Sequence, residues 1–142
     1  MKILFPVILS LIAFSSVDAQ KKTINGKKIK EIKEWKIDSG KRTLSELSKY
    51  DANGERIEQI KYETNGSQKE RTVFEYNANG KCITETKYDE FNKLEKKTVI
   101  EYNSFGKRSK ETSYDAKGKV KSVKEVEYIT ELLNKQYHAG VD

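Results

Sequence analysis

The segment Tyr76-Asn77-Ala78-Asn79-Gly80 decides the fold, because variants of it return along most of the chain. Tyrosines stand at positions 50, 62, 76, 88, 102, 114 and 128. The steps between them alternate between 12 and 14 residues, so the full repeat is 26 residues long. Self-similarity at a fixed period is the signature of a repeat architecture, in which each unit has the same structure. The repeat therefore governs the fold prediction.

Each of the first six tyrosines is followed by the residues of a tight hairpin turn. Asp or Asn comes next in five copies and Glu63 in the sixth, and the fourth position is Gly except at Asn92. Asp and Asn accept hydrogen bonds from nearby backbone, and Gly, then Asn, best adopts the left-handed conformation. A type I turn followed by a left-handed residue is the common three-residue hairpin loop. Strands of about eight to ten residues remain between the loops, which predicts an all-β antiparallel meander of tandem hairpins with about eight strands.

All these tyrosines occupy even positions, so a three-residue loop predicts that they share one face of the sheet. With such a loop residue 51 pairs with residue 55, and even positions stay opposite even positions from strand to strand. That face also collects Ile60, Phe74 and Ile100, while the odd positions are mostly Lys, Glu and Arg. A four-residue loop would divide the tyrosines between both faces. The Asp or Asn at the first turn position favours the three-residue loop.

The segments on either side of the repeat are expected to complete the same domain, residues 20–142. Upstream, Ile24-Asn25-Gly26 and Ile37-Asp38-Ser39-Gly40 look like turns of the same kind. Trp35 is predicted to cover the first edge of the sheet, because the terminal units of repeat proteins are atypical. Downstream, residues 130–137 fit either a short C-terminal helix with Thr130 as its N-cap or a ninth strand.

The first nineteen residues predict a cleavable signal peptide. Lys2 supplies the positive charge, residues 3–14 form an apolar run too short to span a bilayer comfortably, and Val17 and Ala19 form an Ala-x-Ala-like cleavage site. The single cysteine, Cys82, lies far from this site, so no lipid-attachment cysteine is expected. We therefore expect residues 1–19 to be removed. The mature protein is predicted to be secreted or periplasmic, with no membrane span.

Around its Tyr-Asp/Asn-x-x-Gly-Lys turns the chain resembles the tyrosine–aspartate (YD, or RHS-type) repeats of bacterial secreted and surface proteins. The resemblance runs from about Tyr50 to Tyr128. The chain is still more similar to short exported bacterial proteins built on Tyr-Asp-Ala-Asn-Gly turns at two alternating spacings. It lacks the usual RHS spacing and the Gly-Arg-Leu that follows the turn, and it is too short to form a closed toxin-encapsulating shell. The resemblance implies hairpin architecture and leaves the activity open.

Residues with catalytic or metal-binding chemistry are few. The only histidine is His138, and Cys82 has no assignable base beside it. Acids alternate with Lys and Arg as they do in cross-strand charge pairs, so no pair of carboxylates stands out. Asp51 and Asn53 resemble the start of a calcium loop, but the later ligands are missing at the required spacing. We therefore predict no catalytic, cofactor-binding or metal-binding residues, and a protein that is not an enzyme.

The net charge of +6 and the interleaved tyrosines bear on the binding partner. Nucleic acid is not expected, because 28 basic residues are interspersed with 22 acidic ones and an exported protein meets little nucleic acid. Regularly spaced aromatic rings suit a glycan or another envelope polymer, and an exposed apolar patch often marks an interaction surface. We predict a binding module for a cell-surface polymer or a protein partner. The predicted binding residues are Tyr62, Tyr76, Tyr88, Tyr102 and Tyr114.

Three alternatives remain open at this point. In the first, the tyrosines serve only to stabilise the sheet through cross-strand packing. In the second, the protein has a structural or assembly role, in which exposed edge strands pair with other chains to form a homo-oligomer. The third alternative is an enzyme of unknown type.

Overall fold

A computed structural model describes residues 23–130, which form antiparallel β-structure with no helix in that range. The strands are β1 (Thr23–Ile24), β2 (Lys27–Lys28), β3 (Glu31–Asp38), β4 (Lys41–Tyr50), β5 (Arg56–Tyr62), β6 (Gln68–Tyr76), β7 (Cys82–Tyr88), β8 (Leu94–Tyr102), β9 (Arg108–Asp115) and β10 (Val120–Glu125). The predicted all-β meander is confirmed. The predicted signal peptide, and the helix or ninth strand expected beyond Thr130, lie outside the described residues.

Eight of the strands form one sheet in which each strand pairs with the next one in the chain. The order across the sheet is β10-β9-β8-β7-β6-β5-β4-β3, and every neighbouring pair is antiparallel. The strands β1 and β2 form a separate short hairpin before it. Among the described elements nothing packs on either face of the sheet, and the only buried apolar residues are Tyr50 and Ile100. The sheet is therefore a single layer whose edges are β3 and β10.

The turns have the predicted three-residue geometry. At the first one the amide of Gly54 donates to the Asp51 carbonyl oxygen at 3.1 Å, and the amide of Asp51 donates to the Glu55 carbonyl oxygen at 2.9 Å. The carboxylate of Asp51 also accepts bonds from the amides of Asn53 and Glu55. Gly54 has φ +84°, and Asn92, which replaces glycine in one copy, has φ +59°. A residue without a β-carbon, or asparagine, is favoured there because this backbone region is strained for other side chains.

One step beyond each of these turns the ladder contains a β-bulge. Tyr50 pairs with Arg56, but Lys49 pairs with Glu58, so Ile57 has no partner. The corresponding residues in the later hairpins are Lys69, Ile83, Glu95, Ser109 and Lys121. An extra residue on one strand shifts the register by one position. Past each bulge, even positions therefore pair with odd positions.

The prediction that all tyrosines share one face is consequently wrong. The loop length was predicted correctly, but the bulge after it reverses the facing of each following strand. Tyr62, Tyr88 and Tyr114 lie on one side, which we call the Tyr88 face. Tyr50, Tyr76 and Tyr102 lie on the other side, the Tyr76 face. Tyr128 lies beyond the end of β10.

The edge strand β3 contains Trp35, which packs against its inner neighbour. The guanidinium of Arg42, on β4, lies 4.1 Å from the centre of the Trp35 ring. Trp35 pairs with Leu44, which places it on the Tyr76 face. It therefore covers part of that face at the first hairpin, and 43% of it remains exposed.

Candidate functional site

On the Tyr88 face, tyrosines and cations alternate from strand to strand. Tyr62, Tyr88 and Tyr114 lie at or next to the ends of β5, β7 and β9, while Arg71 and Lys97 lie on β6 and β8 between them. Arg71 is directly opposite Tyr88, and Lys97 is directly opposite Tyr114. The strands of successive tyrosines are two strand spacings apart, roughly 9–10 Å, and each tyrosine is also offset by two residues along the strand, since Tyr88 lies level with Ile60 through Arg71. We call the three tyrosines and the two cations the tyrosine–cation band.

The tyrosines of the band have partly accessible rings, and their hydroxyl groups make no hydrogen bond to the described part of the chain. Tyr62, Tyr88 and Tyr114 are each half-buried. Their hydroxyls have no hydrogen-bond partner among residues 23–130. The guanidinium of Arg71 lies 4.4 Å from the centre of the Tyr88 ring, which supports that ring from one side. The band therefore presents aromatic surface and hydroxyl groups that the fold itself does not use.

The two cations of the band are held differently. Arg71 bonds the Glu58 carboxylate at 3.0 Å and the Asn92 side-chain oxygen at 3.1 Å, and Lys49 bonds the same carboxylate at 2.6 Å. Burial pushes the pKa of Glu58 upward, but the bonds from Lys49 and Arg71 outweigh burial and hold that pKa below its usual value. Arg71 is thus a fixed positive group. Lys97 is exposed and has no ion pair within residues 23–130, so its ammonium group remains available.

The tyrosines of the Tyr76 face are fastened to the backbone instead. The Tyr76 hydroxyl donates to the Arg56 carbonyl oxygen at 2.9 Å, and the Tyr102 hydroxyl donates to the Cys82 carbonyl oxygen at 2.8 Å. Burial, with smaller contributions from Cys82 and Glu55, raises the pKa of Tyr76 to about 12. The Tyr76 hydroxyl therefore stays protonated at neutral pH, and both hydroxyls hold neighbouring strands together. Three of the five predicted binding tyrosines lie together, and Tyr76 and Tyr102 lie on the opposite face.

A ladder of ion pairs crosses four strands on the Tyr76 face. Glu70 accepts from Lys61 at 2.8 Å and from Lys87 at 2.9 Å, and Lys87 also pairs with Glu95 at 3.2 Å. The bonds from Lys61 and Lys87 lower the pKa of Glu70 to about 2. An open hollow of about 560 Å³ lies beside this ladder and is lined mostly by charged and polar residues. A carboxyl group with so low a pKa is ionised at neutral pH, so Glu70 is not suited to act as a general acid.

The single cysteine has the environment of an unreactive thiol. Burial raises the pKa of Cys82, and its thiol lies 3.5 Å from the Thr84 carbonyl oxygen. A thiol with a raised pKa is a poor nucleophile because little thiolate is present at neutral pH. Within residues 23–130 no group of three or more His, Cys, Asp or Glu residues is placed to hold a metal ion. His138 lies outside the described residues.

The sequence contains a sign that Arg71 and Lys97 belong to the site. The prediction that all tyrosines share one face hid it. Arg71 and Lys97 are one 26-residue repeat apart, each five positions before a tyrosine of the Tyr76 face. The expected facing put odd positions on the side opposite all tyrosines. The bulge puts these two odd positions beside Tyr88 and Tyr114 instead.

Comparisons with known proteins assign no family. No family model matches the chain, and no curated protein is significantly similar to it. Among solved structures the chain is similar to the GtfA/B complex bound to UDP and GlcNAc, with 20% identity and a TM-score of 0.32; the match covers 66% of this chain and 19% of that one. It is also similar to a Bacteroides fragilis protein of unknown function, with 13% identity and a TM-score of 0.25; the match covers 73% of this chain and 94% of that one. Structural similarity at this level carries no information about the activity of this chain.

The described residues also contain no helical segment long and apolar enough to cross a membrane.

Proposed function

We propose that this protein is an exported, non-catalytic module that binds an extended anionic polymer of the cell surface through the tyrosine–cation band. One observation carries the proposal: within residues 23–130, rings whose hydroxyls have no hydrogen-bond partner alternate with cations across a sheet face on which no other element packs. Export rests on the signal peptide predicted for residues 1–19. The resemblance to tandem tyrosine-repeat proteins of bacterial surfaces supports the same setting.

A polymer lying across the strands would meet the members of the band in succession. Sugar rings pack on aromatic faces, because those faces are flat and apolar, and the tyrosine hydroxyls can bond neighbouring sugar hydroxyls. Carboxylate, sulfate or phosphate groups of the polymer would bond Arg71 and Lys97. Each contact is weak by itself, and repeated contacts along one chain raise the overall affinity. The ladder hydrogen bonds hold the band in place, so binding requires little ordering of the protein.

A polymer fits this surface better than a folded protein partner does. The centre of a protein–protein interface is usually depleted in Lys, Glu and Asp. The band lies among charged side chains of its own face, including Lys49, Glu58 and Lys110. A flexible charged polymer can thread between such groups, whereas a folded partner would have to desolvate them.

Isothermal titration with polygalacturonate tests the proposal, and methyl-esterified polygalacturonate serves as the neutral comparison. We expect the chain to bind the acidic polymer and to bind the neutral one at least tenfold more weakly. Tyr88→Thr combined with Tyr114→Thr should weaken binding at least tenfold, since a stacked ring contributes about 1–3 kcal/mol in comparable aromatic platforms. Lys97→Gln should weaken binding to the acidic polymer only.

The matched control removes aromatic rings outside the band. Phe91 and Phe105 lie in turns and are 72% and 86% exposed. Phe91→Thr combined with Phe105→Thr should leave affinity unchanged. Equal loss from both pairs of substitutions, or equal affinity for the acidic and neutral polymers, would contradict the proposal. Circular dichroism of each variant separates loss of binding from loss of fold.

A further inference from the structure

The charged residues of the last strand, β10, form no ion pair with any other described residue. Inner strands pair theirs across the ladder, as Lys49 does with Glu58 and Lys61 does with Glu70. In β10 all six residues are exposed, and Lys121, Lys124 and Glu125 have no ion pair within residues 23–130. Val120 and Val123 are 51% and 50% exposed. An edge strand with exposed valines and free backbone groups is a template for pairing with another strand.

The sequence of this edge is complementary to itself in the antiparallel sense. Residues 119–127 read Lys-Val-Lys-Ser-Val-Lys-Glu-Val-Glu. The charged residues before the central Val123 are basic, and those after it are acidic except for Lys124. An antiparallel pair centred on Val123 aligns opposite charges and also aligns valine with valine. The resulting partners are Lys119 with Glu127, Val120 with Val126, Lys121 with Glu125, and Val123 with its own copy. Such cross-strand pairs are the unit of sheet stabilisation.

The outward-facing backbone amide and carbonyl groups of β10 fit the register centred on Val123. The Val126 amide donates to the Ser109 carbonyl oxygen at 2.9 Å, so Val126 turns its backbone groups toward β9. Backbone direction alternates along an antiparallel ladder, so Glu125 and Val123 turn their amide and carbonyl groups away from β9. A register centred on Val123 pairs odd positions with odd positions. The outward groups of one copy thus meet the outward groups of the other.

We propose that two copies of this chain join through β10, antiparallel and around a two-fold axis at Val123, so that their sheets become one continuous sheet. Cross-strand partners share a face, so the Tyr88 faces of both copies lie on the same side. The other edge does not have this pattern, because β3 has Glu31 and Asp38 near its two ends. An antiparallel pairing of β3 with itself would bring these acids together. The inference rests on β10 alone and holds whether or not the chain binds a polymer.

A charge-exchange experiment tests the pairing. Sedimentation velocity of the wild-type mature chain should show a dimer that dissociates on dilution. The four positions that pair by charge are 119, 121, 125 and 127. Glu125→Lys with Glu127→Lys makes all four basic, and Lys119→Glu with Lys121→Glu makes all four acidic. Each double variant should be monomeric by itself because like charges then meet. An equimolar mixture of the two should form a mixed dimer, since each of the four charge pairs across the two-fold axis then joins a lysine to a glutamate.

The control applies the same change of charge to the opposite edge. Glu31→Lys with Glu34→Lys in β3 should leave the dimer intact. A second measurement locates the axis: Val123→Cys in a Cys82→Ser background should cross-link to its own copy on mild oxidation. Directly opposed residues whose backbones bond each other have Cα atoms about 5.5 Å apart, within disulfide range. Ile37→Cys in the same background, on β3, should not cross-link.

Two results would overturn the proposal. One is a monomeric wild-type chain at every concentration together with a mixture of charge variants that stays monomeric. That result would mean that β10 is covered by residues 131–142 of its own chain or serves another partner. The other is a dimer that survives both double substitutions in β10 but is lost in the β3 control.

Discussion

The Tyr102 hydroxyl donates a 2.8 Å hydrogen bond to the Cys82 carbonyl oxygen, joining β8 to β7 on the Tyr76 face. Tyr76 makes the equivalent bond to Arg56 one repeat earlier. Tyr88 also precedes a turn of the same kind, but it lies on the opposite face and its hydroxyl has no such partner in the described part of the chain. One sequence motif thus has two roles. Alternate copies fasten the sheet, and the copies between them present rings to solvent.

This division predicts unequal effects of removing the hydroxyl. Tyr102→Phe should lower the free energy of unfolding by about 1 kcal/mol, because it leaves the half-buried Cys82 carbonyl oxygen without that bond. Tyr88→Phe should change it by less than about 0.5 kcal/mol. Urea unfolding followed by circular dichroism measures both values. Equal effects of the two substitutions would contradict the division.

The fold predicts a specific loss of stability in acid. Lys61 and Lys87 lower the pKa of Glu70 to about 2 from a usual value of 4.5. A depressed carboxyl pKa stabilises the folded state fully above the unfolded pKa, and this contribution is lost as pH falls from about 4.5 through 2. Glu70→Gln should therefore cost about 1–2 kcal/mol at pH 7, after allowance for the partly exposed lysines, and almost nothing near pH 2.

Urea unfolding at pH 7 and near pH 2 measures this difference. Glu95→Gln is the control, because the Glu95 side chain is 52% exposed and, among residues 23–130, pairs only with Lys87. Its effect should be much smaller than that of Glu70→Gln at neutral pH. A constant difference between wild type and Glu70→Gln at both pH values would show that the ion pairs of Glu70 do not act as described.

The turns predict losses of stability with different causes when their left-handed residues are substituted. Gly118 has φ +78°, and a β-carbon added there would meet nothing within 4 Å. The cost of Gly118→Ala is therefore conformational only, about 1–2 kcal/mol. Asn92→Gly, at φ +59°, relieves backbone strain but removes the side-chain oxygen that Arg71 and Gln68 bond, so its cost of about 1 kcal/mol comes from lost hydrogen bonds. Thermal unfolding of both variants checks this, and a neutral Gly118→Ala would contradict it.

The small core predicts that stability is concentrated at few apolar positions. Ile100 is 3% exposed, the lowest value among the buried residues of the described chain. Ile100→Ala should cost about 2 kcal/mol, the low end of the usual range, since a single-layer sheet lets neighbours and water fill the space. Val120→Ala, at 51% exposure, should cost far less. Chemical unfolding compares them, and similar losses would contradict the burial pattern.

The parts of the fold that follow from local sequence could be predicted, and those that depend on the ladder could not. The turns at Asp51 and Asn77 are determined by an oxygen-bearing side chain and a glycine at fixed places, so sequence alone identified them. The bulges have no shared residue type, since Ile57, Lys69 and Ser109 occupy equivalent places. They arise from strand pairing beyond each turn. The facing of the tyrosines depends on them and was therefore predicted wrongly.

The candidate site was predicted in part for the same reason. Tyr62, Tyr88 and Tyr114 follow from the repeat, whereas Arg71 and Lys97 join them only through the shifted register. The network of Lys49, Glu58 and Arg71 depends equally on that register, because three successive strands contribute one residue each.

The facing of Tyr88 is the most direct test of this account, because the band and the alternation of roles both depend on it. Nuclear Overhauser spectra of the labelled chain can compare the contacts of the Tyr88 ring with side chains of the neighbouring strand β6. We predict strong contacts between the ring protons and the Arg71 side chain, and none with the Thr72 side chain, which points to the other face. Contacts with Thr72 in place of Arg71 would put all tyrosines on one side and contradict the account.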